Sequence, residues 1–299
     1  MITNEFLKDI GGLFMPGLVL EGGGMRGWYT AGVLSVFTEN QISFPAVYGI
    51  SAGAFNALPY LSGQCTAEFI RKLIENADDE RFISEENLKK TGSVFGFGFL
   101  FGEVLHRLIP FDYDAFFRSA VHFQAGATDL KTGRPFFFDK SVMDEDFMAI
   151  RASCSLPVIS GIIRYRGMDL LDGGYSDPIP AEHAAADGNE KNVIVLTRDA
   201  SYRKETKLEI PRATLQEKYG DYPAFIEDVV RRPQLYNHEL DVCAQMRAQG
   251  KAFLIRPSEP IRIGRCESDP AQLWEVFRLG VADCRAALPE IRTFIAEPV

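Results

Sequence analysis

FPAVYGISAGAFNAL, residues 44–58, predicts a buried strand that ends at GISAG, residues 49–53, and turns at once into a helix. This is the G-x-S-x-G pattern of a nucleophile elbow, in which a tight strand-to-helix turn holds the Ser51 hydroxyl clear of the backbone. Gly49 and Gly53 flank the serine, where strand and helix approach too closely for a Cβ atom. The helix N-terminus also favours negative charge near Ser51. Because an ordinary glycine-flanked loop can show the same five residues, further motifs have to decide between the two.

Composition limits the classes of function that this chain can have. Its 299 residues suffice for one large domain or two small ones, and 46% of them are hydrophobic, as in ordinary soluble globular proteins. The net charge of −9 disfavours nucleic acid as a partner, because phosphate binding needs a basic surface. Five scattered cysteines without a C-x-x-C motif indicate a reducing compartment and argue against a zinc site.

Targeting signals are not evident in the sequence. Residues 1–14, MITNEFLKDIGGLF, lack the basic and then apolar pattern of a signal peptide. No apolar run reaches the roughly 20 residues that cross a bilayer. We therefore predict a cytoplasmic protein, and we leave open a peripheral contact with the inner face of the membrane.

A second glycine motif lies upstream of the elbow. Residues 18–20 predict a short buried strand, EGGGMRG follows at residues 21–27, and residues 28–40 have a helical pattern. Gly22, Gly24 and Gly27 match the dinucleotide fingerprint G-x-G-x-x-G, but the next strand ends in GISAG instead of the acidic residue that would hold a ribose. Consecutive glycines leave backbone N–H groups free to converge on one oxygen, as serine acyl transfer requires. The motif therefore suits an oxyanion hole better than a nucleotide site.

The stretch TGSVFGFGFLFG, residues 91–102, is unusually rich in phenylalanine and glycine. It is interpreted either as a mobile apolar wall or lid beside an acyl pocket, or as a core segment whose glycines fit tight space. We prefer the core segment. Residues 121–129 and 134–139 then predict a β-hairpin inserted in a β-α pattern.

Asp172 ends the next predicted strand, residues 168–171, and Gly173 and Gly174 follow it. It lies 121 residues after Ser51, so only the fold can bring the two together. Since parallel α/β sheets form sites at the carboxyl ends of their strands, we expect Asp172 to meet Ser51 there. An ordinary Asp-Gly turn is the alternative. Residues 191–197 predict a buried strand, and residues 221–299 predict helices around one strand at residues 252–255.

Three ordered motifs, EGGGMRG (21–27), GISAG (49–53) and DGGYSDPIP (172–180), together resemble the patatin-like phospholipase family. GATDLKTG (126–133) and ASCSLP (152–157) are similar to family segments, and FLIRPSEP (253–260) looks like its bacterial branch. The resemblance implies an α/β fold, a three-layer α/β/α sandwich with a mainly parallel central sheet. It also implies a catalytic domain over residues 16–200 and a mainly helical extension packed on it over residues 201–299.

The same resemblance implies the site and its chemistry. Ser51 would be the nucleophile and Asp172 the base of a dyad without histidine, cleaving a lipid or another acyl ester, with no metal and no cofactor. The family's motif glycines are matched by Gly49, Gly53, Gly173 and Gly174. The oxyanion hole would be built from Gly22, Gly23, Gly24, Met25, Arg26 and Gly27, in which Arg26 adds positive charge or pairs with a carboxylate. Asp177 stands where family members often carry asparagine, and we expect it to brace the loop.

The histidines leave an alternative open. Only His183 and His238 follow Asp172, as the Ser…Asp…His order of α/β-hydrolases requires, and both are interpreted as surface or capping residues. We therefore predict that Asp172 takes the Ser51 proton directly. The alternatives are an α/β-hydrolase-type esterase that uses one of these histidines, and a non-catalytic protein whose glycine loop binds a nucleotide or an acyl ligand.

Overall fold

An eight-stranded sheet organises the computed structural model, which describes residues 16–297. The predictions for residues 1–14 lie outside the described residues. The strand order is β5-β6-β3-β2-β1-β7-β8, and β4 pairs with β3. The strands are β1 Gly17–Leu20, β2 Ala46–Ile50, β3 His122–Asp129, β4 Arg134–Asp139, β5 Ile163–Tyr165, β6 Met168–Asp172, β7 Asn192–Val195 and β8 Ala252–Ile255.

Helices cover both faces of this sheet. The helices are α1 Trp28–Glu39, α2 Ala52–Leu61, α3 Ala67–Glu75, α4 Glu85–Thr91, α5 Phe97–Phe99, α6 Tyr113–Arg118, α7 Met148–Ser153, α8 Ala181–Ala186, α9 Arg212–Tyr219, α10 Pro223–Ala248 and α11 Pro270–Ala296. A π-helix, Leu100–Leu108, continues α5, and short 3-10 helices occupy Gly24–Gly27, Lys140–Val142 and Gly173–Tyr175. No helix within residues 16–297 is long and apolar enough to cross a membrane.

The alternation of side chains along the central strands explains the three layers. β1, β2, β3, β7 and β8 pair in parallel, and β1, β2 and β7 are buried throughout, as strands covered on both faces are. Leu18 and Val193 face a core shared with α1 and α11, whereas Val19 and Ile194 face a core shared with α8 and α10. The predicted three-layer α/β/α fold with a mainly parallel sheet is confirmed.

β3 brings two distant strands together. β4 pairs with residues 124–129 along one edge of β3. β2 and β6 therefore both pair with the opposite edge of β3, one after the other along its length. Ile50 of β2 pairs with Gly126, and Asp172 of β6 pairs with the next residue, Ala127. β6 runs antiparallel to β3, so its carboxyl end points toward the carboxyl end of β2. We expected parallel strands to bring Asp172 to Ser51, but an antiparallel strand does so.

The C-terminal third of the chain joins the same sheet. β8 pairs in parallel with β7, α10 packs on one face, and α11 packs against α1 on the other. α1 and α11 approach closely through two glycines. A Cβ atom on Gly32 would lie 2.2 Å from the Phe277 carbonyl oxygen, and one on Gly280 would lie 2.1 Å from that of Tyr29. The boundary predicted at residue 200 thus falls between two paired strands of one sheet.

Candidate active site

Ser51 lies at the turn between β2 and α2 with φ of 51° and ψ of −121°. Such a left-handed conformation is strained for a residue with a side chain, and it is typical of a nucleophile elbow. The flanking glycines make the turn possible. A Cβ atom on Gly53 would lie 2.4 Å from the Leu20 carbonyl oxygen, and one on Gly49 would lie 2.7 Å from the Ala54 nitrogen.

Ser51 and Asp172 are in direct contact. The Ser51 hydroxyl donates a hydrogen bond of 2.7 Å to Oδ2 of Asp172, and both residues are buried, with 6% and 3% of their surface exposed. The other carboxylate oxygen, Oδ1, accepts the Gly174 N–H at 2.8 Å. Thr128 donates its hydroxyl to the Asp172 carbonyl oxygen at 2.8 Å. These bonds fix the carboxylate with one oxygen directed at the serine.

Burial raises the pKa of Asp172 above its ordinary value. The hydrogen bonds from Ser51 and Gly174, and the positive charges of Arg232 and Arg265, act in the opposite direction. A carboxylate with a raised pKa is a stronger base than an exposed aspartate. Asp172 therefore combines the geometry and the basicity that accepting a proton from Ser51 requires.

The side chain of Ser153, at the end of α7, bonds to the backbone of the elbow. Its Oγ accepts the Ser51 N–H at 2.7 Å and donates to the Gly126 carbonyl oxygen at 2.5 Å. Ser153 belongs to the ASCSLP segment, and we predicted no role for it from the sequence. Its buried position and its partner on β3 depend on the tertiary fold, so no local pattern indicated this function.

The glycine loop contains two backbone donors without an acceptor in the described part of the chain. The Gly22 N–H donates to the Pro178 carbonyl oxygen at 3.3 Å, and the Met25 N–H donates to that of Arg265 at 3.2 Å. The N–H groups of Gly23 and Gly24 have no acceptor among residues 16–297. Gly24 has φ of 57° and lines the same cavity as Ser51.

A third free donor belongs to the elbow itself. Ala52 is the first residue of α2, and its N–H has no acceptor within the described part of the chain. Ala52 also lines the cavity next to Ser51. We did not predict Ala52 as a donor from the sequence, although the first N–H of the helix after a nucleophile elbow is a common oxyanion donor.

Arg26 and Gly27 have structural surroundings. The Arg26 side chain is buried near Glu21, whose oxygens accept the Thr197 N–H at 2.5 Å and the Tyr236 hydroxyl at 2.7 Å. Burial and the charge of Arg198 lower the pKa of Arg26 to about 10, while the charge of Glu21 opposes this shift. A Cβ atom on Gly27 would lie 2.5 Å from that of Ala52, so Gly27 lets the 3-10 helix pack on α2.

An apolar cavity opens at Ser51. It has a volume of about 610 Å³, part of it open to solvent, and its far wall is formed by the phenylalanine–glycine stretch. Phe101 is at once a wall residue and fully buried in the main core, so this stretch is both cavity wall and core segment. The lining residues are Gly24, Met25, Gly27, Trp28, Ser51, Ala52, Phe55, Asn56, Phe82, Phe95, Phe97, Leu100, Phe101, Cys154 and Leu156.

The histidines make their contacts away from the Ser51–Asp172 pair. His183 stacks on Phe137 with ring centroids 3.5 Å apart and makes a hydrogen bond of 2.6 Å with Gln124. His238 is exposed on α10. Both oxygens of the Asp172 carboxylate already accept hydrogen bonds from other groups.

Among residues 16–297, no three His, Cys, Asp or Glu side chains cluster so that they could hold a metal ion.

Asp177 lies on the loop that follows Asp172 and faces Glu239 of α10. Burial and the negative charge of Glu182 raise the pKa of Asp177 to about 7, while a hydrogen bond with Glu239 opposes the shift. Burial and the charge of Asp177 in turn raise the pKa of Glu239, whose Oε2 accepts the Ile179 N–H at 2.8 Å. Asp177 and Glu239 thus form a carboxyl pair between this loop and α10.

Fold and site together define an α/β/α protein with a serine–aspartate pair at a nucleophile elbow. The chain belongs to the patatin-like phospholipase family, a family of lipid acyl hydrolases, because the family model described as patatin-like phospholipase matches residues 18–185. A second model, described as a domain of unknown function (DUF6363), matches residues 222–296.

Two individual proteins are also similar to this chain. The uncharacterized protein YjjU of Escherichia coli (strain K12) is 32% identical over 197 residues, which is 62% of this chain. The matched part spans about half, 53%, of YjjU. The crystal structure of VipD from Legionella pneumophila superposes with a TM-score of 0.47 at 11% identity, covering 93% of this chain and 67% of VipD.

Proposed function

We propose that this protein is a serine acyl hydrolase that cleaves carboxylic ester bonds of lipids through a Ser51–Asp172 dyad. The observation that carries the proposal is the 2.7 Å hydrogen bond from the Ser51 hydroxyl to the buried Asp172 carboxylate at a nucleophile elbow. Membership of the patatin-like phospholipase family supports the same class of substrate.

In the proposed reaction, Asp172 takes the Ser51 proton as the serine oxygen attacks the ester carbonyl carbon. The carbonyl oxygen becomes an oxyanion, which the N–H groups of Gly23, Gly24 and Ala52 stabilise. The tetrahedral intermediate collapses, and the leaving alcohol takes the proton from Asp172. Water then attacks the acyl-enzyme, giving its proton to Asp172, and the second collapse releases the acid and returns the proton to Ser51.

The cavity supports an apolar acyl chain as the bound group. Its wall beyond Ser51 consists mainly of aromatic and aliphatic side chains, among them Phe55, Phe95 and Phe97. Apolar pockets with a few polar groups at one end are typical of small-molecule sites. The acyl chain would occupy the aromatic part, with the ester carbonyl between Ser51 and Gly24.

The decisive experiment is hydrolysis of a para-nitrophenyl acyl ester series by wild type, Ser51→Ala and Asp172→Asn, with folding checked by circular dichroism. We expect each substitution to lower turnover by at least about 10³-fold while the fold is kept. Full activity of Ser51→Ala would refute the proposed nucleophile. Loss of turnover in folded His183→Gln or His238→Gln would support the triad instead, and thermal stabilisation by a nucleotide without any turnover would support a binding protein.

The oxyanion hole is tested by Gly24→Ala. A Cβ atom at this position would lie 2.8 Å from the Arg265 carbonyl oxygen, and φ of 57° is strained for alanine. We expect the displaced loop to lower kcat by about 10²–10³-fold, as the loss of one oxyanion donor does. The matched control is Gly102→Ala, since no atom lies within 4 Å of a Cβ there. Equal kcat values for the two variants would contradict this assignment.

A further inference from the structure

Three cationic side chains converge on one carboxylate beside the catalytic loops. They are Lys204, Arg232 of α10 and Arg265, and the carboxylate is that of Glu209. Arg265 Nη2 lies 2.8 Å and 3.0 Å from the two Glu209 oxygens, and Arg232 Nη1 lies 3.6 Å from one of them. Lys204 Nζ also donates to Glu209. Three positive charges therefore surround Glu209, and Arg232 and Arg265 also interact with the charge of Asp172. All four residues of the cluster lie outside the segment that matches the patatin-like model.

This cluster adjoins both halves of the site. Arg232 Nε donates to the Gly174 carbonyl oxygen at 2.6 Å, and the Gly174 N–H donates to Asp172. The main chain of Arg265 accepts the Met25 N–H next to Gly24, which lines the acyl cavity. The cluster is therefore connected by hydrogen bonds both to the loop that carries Asp172 and to the glycine loop that lines the cavity.

Two of the three cations are nearly buried, and one of them is incompletely hydrogen-bonded. The side chains of Lys204 and Arg232 are only 8% and 13% exposed. Arg232 Nη1 has no hydrogen-bond acceptor among residues 16–297. Burial and the charge of Arg232 lower the pKa of Lys204 to about 8, as expected where cations exceed anions. Buried cations without full partners are costly, and an anionic ligand would relieve that cost.

Glu209 is the replaceable member of the cluster. It belongs to the loop between β7 and α9, and its side chain is 37% exposed, more than that of any of the three cations. A phosphate presents several oxygens to two guanidinium forks and an ammonium, which suits this donor set better than a single carboxylate does. The overall charge of −9 makes the local excess of cations a specific feature and not a general property of the surface.

We propose, on the basis of the function proposed above, that Lys204, Arg232 and Arg265 bind the phosphate of a glycerophospholipid substrate. Glu209 occupies this phosphate site when no phosphate is bound. The segment of unknown function, residues 222–296, thereby contributes two of the three ligands to substrate recognition.

The test compares two soluble substrates with equal acyl chains, dihexanoylphosphatidylglycerol and dihexanoylglycerol, in one neutral detergent at pH 7.5. The readout is the ratio of their kcat/KM values. Arg265→Gln keeps the main-chain bond to Met25 and should lower the ratio on the order of tenfold, because a charge-assisted hydrogen bond is lost. Glu209→Gln removes the competing carboxylate and should raise the ratio. Arg278→Gln, on the exposed side of α11 and paired with Glu275, is the control and should leave the ratio unchanged.

Glu209→Gln separates phosphate binding from a purely structural ion-pair network. A structural network predicts that Glu209→Gln and Arg265→Gln both destabilise the fold and lower both kcat/KM values in parallel. An unchanged ratio in both variants would overturn the proposal. A ratio that moves in opposite directions for the two variants supports it, because no loss of stability produces that pattern.

Titration calorimetry with inorganic phosphate distinguishes the source of the ligand. Phosphate binding that Arg265→Gln weakens, together with an unchanged substrate ratio, would assign the site to free phosphate and overturn the lipid assignment. If the wild type hydrolyses neither ester, the acyl hydrolase function fails, but the calorimetry still decides on the site. No heat of phosphate binding by wild type or Glu209→Gln would then overturn it.

Discussion

At the level of single residues, the strained backbone of Ser51 depends on neighbours that are distant in sequence. A positive φ costs roughly 1–3 kcal/mol for a residue with a side chain and persists only where surrounding contacts enforce it. The Ser51 N–H is held by Ser153 Oγ at 2.7 Å, and Ser153 is itself bonded to Gly126 of β3. We therefore propose that Ser153 is a positioning residue that acts through the backbone of the proposed nucleophile.

Ser153→Ala should lower kcat about tenfold with little change in KM, because the elbow loses its anchor while the acyl cavity is kept. Ester hydrolysis under saturating and limiting substrate measures both constants. The matched control is Ser155→Ala, whose hydroxyl donates to the Arg151 carbonyl oxygen in the preceding turn. Equal losses of kcat in the two variants, in proportion to their loss of stability, would refute a specific role for Ser153.

The carboxyl pair of Asp177 and Glu239 makes stability depend on pH. The pKa of Asp177 is raised to about 7 in the folded protein, above its value of about 3.8 in the unfolded chain. The folded state therefore binds more protons than the unfolded state between these values. The stabilisation from the protonated pair is complete below about pH 4 and is lost as the pH rises through 7.

Asp177→Asn should be more stable than wild type at pH 8, by on the order of 1 kcal/mol, because no ionised carboxyl faces Glu239. At pH 4 the two proteins should differ little. Urea unfolding at both pH values gives the two free energies, and Asp114→Asn, an exposed change on α6, is the control. A less stable Asp177→Asn at pH 8 would show that the ionised pair is well accommodated.

At the level of secondary structure, α5 and the following π-helix determine the width of the apolar cavity at Ser51. Phe97 stacks on Phe95 with the rings nearly parallel and centroids 5.9 Å apart, and both rings line the wall. Phe101 behind them is fixed in the core by contacts with Phe55 and Phe147. Phe97 can thus be shortened with less damage to the core than Phe101.

Phe97→Ala should widen the cavity and favour longer acyl chains. We expect kcat/KM for a dodecanoyl ester to rise relative to that for a butanoyl ester by at least about threefold, since each methylene accommodated in an apolar pocket contributes to binding. The para-nitrophenyl ester series measures this ratio, and Phe136→Ala on the exposed face of β4 is the control. An unchanged chain-length profile would mean that the acyl chain does not contact Phe97.

The elements that carry the elbow and the glycine loop could be predicted from sequence because their signals are local. GISAG and GGG each combine a strand, a glycine turn and a helix within about 20 residues, and the structure places β1, α1, β2 and α2 accordingly. The motif that begins with Asp172 was also recognisable, because Asp172 and the two glycines after it follow a short predicted strand. Local patterns of this kind identified Ser51 and Asp172 as candidates, whereas their pairing was expected from the strand ends and from the family resemblance.

The pairing of β6 and the contacts of α10 could not be predicted in the same way. Nothing in residues 168–172 distinguishes an antiparallel partner of β3 from a parallel one, because the choice depends on which edge of β3 is free. Arg232 of α10 reaches the Gly174 carbonyl oxygen across 58 residues of sequence, and Tyr236 reaches Glu21 across 215. Both lie in a helix whose sequence shows only that it is long and amphipathic in part.

At the scale of the whole molecule, the C-terminal third is built into the same core as the candidate site. α11 packs on α1, whose N-terminus follows the glycine loop, and α10 contacts the loops after β1 and β6. Contacts of this kind make separate unfolding of residues 201–297 unfavourable, because it would expose the faces of β7 and α1 to water. We therefore expect the described part of the chain to unfold in one transition.

Gly280→Ala tests this coupling. The close contact of α1 with α11 should make this substitution destabilising, although glycine-to-alanine changes in helices usually raise the free energy of unfolding. In an exposed helix, replacing glycine by alanine stabilises by about 1 kcal/mol. Here the added Cβ would lie 2.1 Å from the Tyr29 carbonyl oxygen, so the two helices must separate. Overpacking of a core typically costs about 1–3 kcal/mol, and we expect a net destabilisation within that range. Urea unfolding followed by circular dichroism and by ester hydrolysis should show one lowered midpoint shared by both signals. Ala282→Gly, an exposed change on the same helix, should lose about 1 kcal/mol through helix propensity alone. Two separate transitions, with hydrolysis retained after the first, would instead show that the C-terminal helices fold as an independent unit and that the candidate site does not need them.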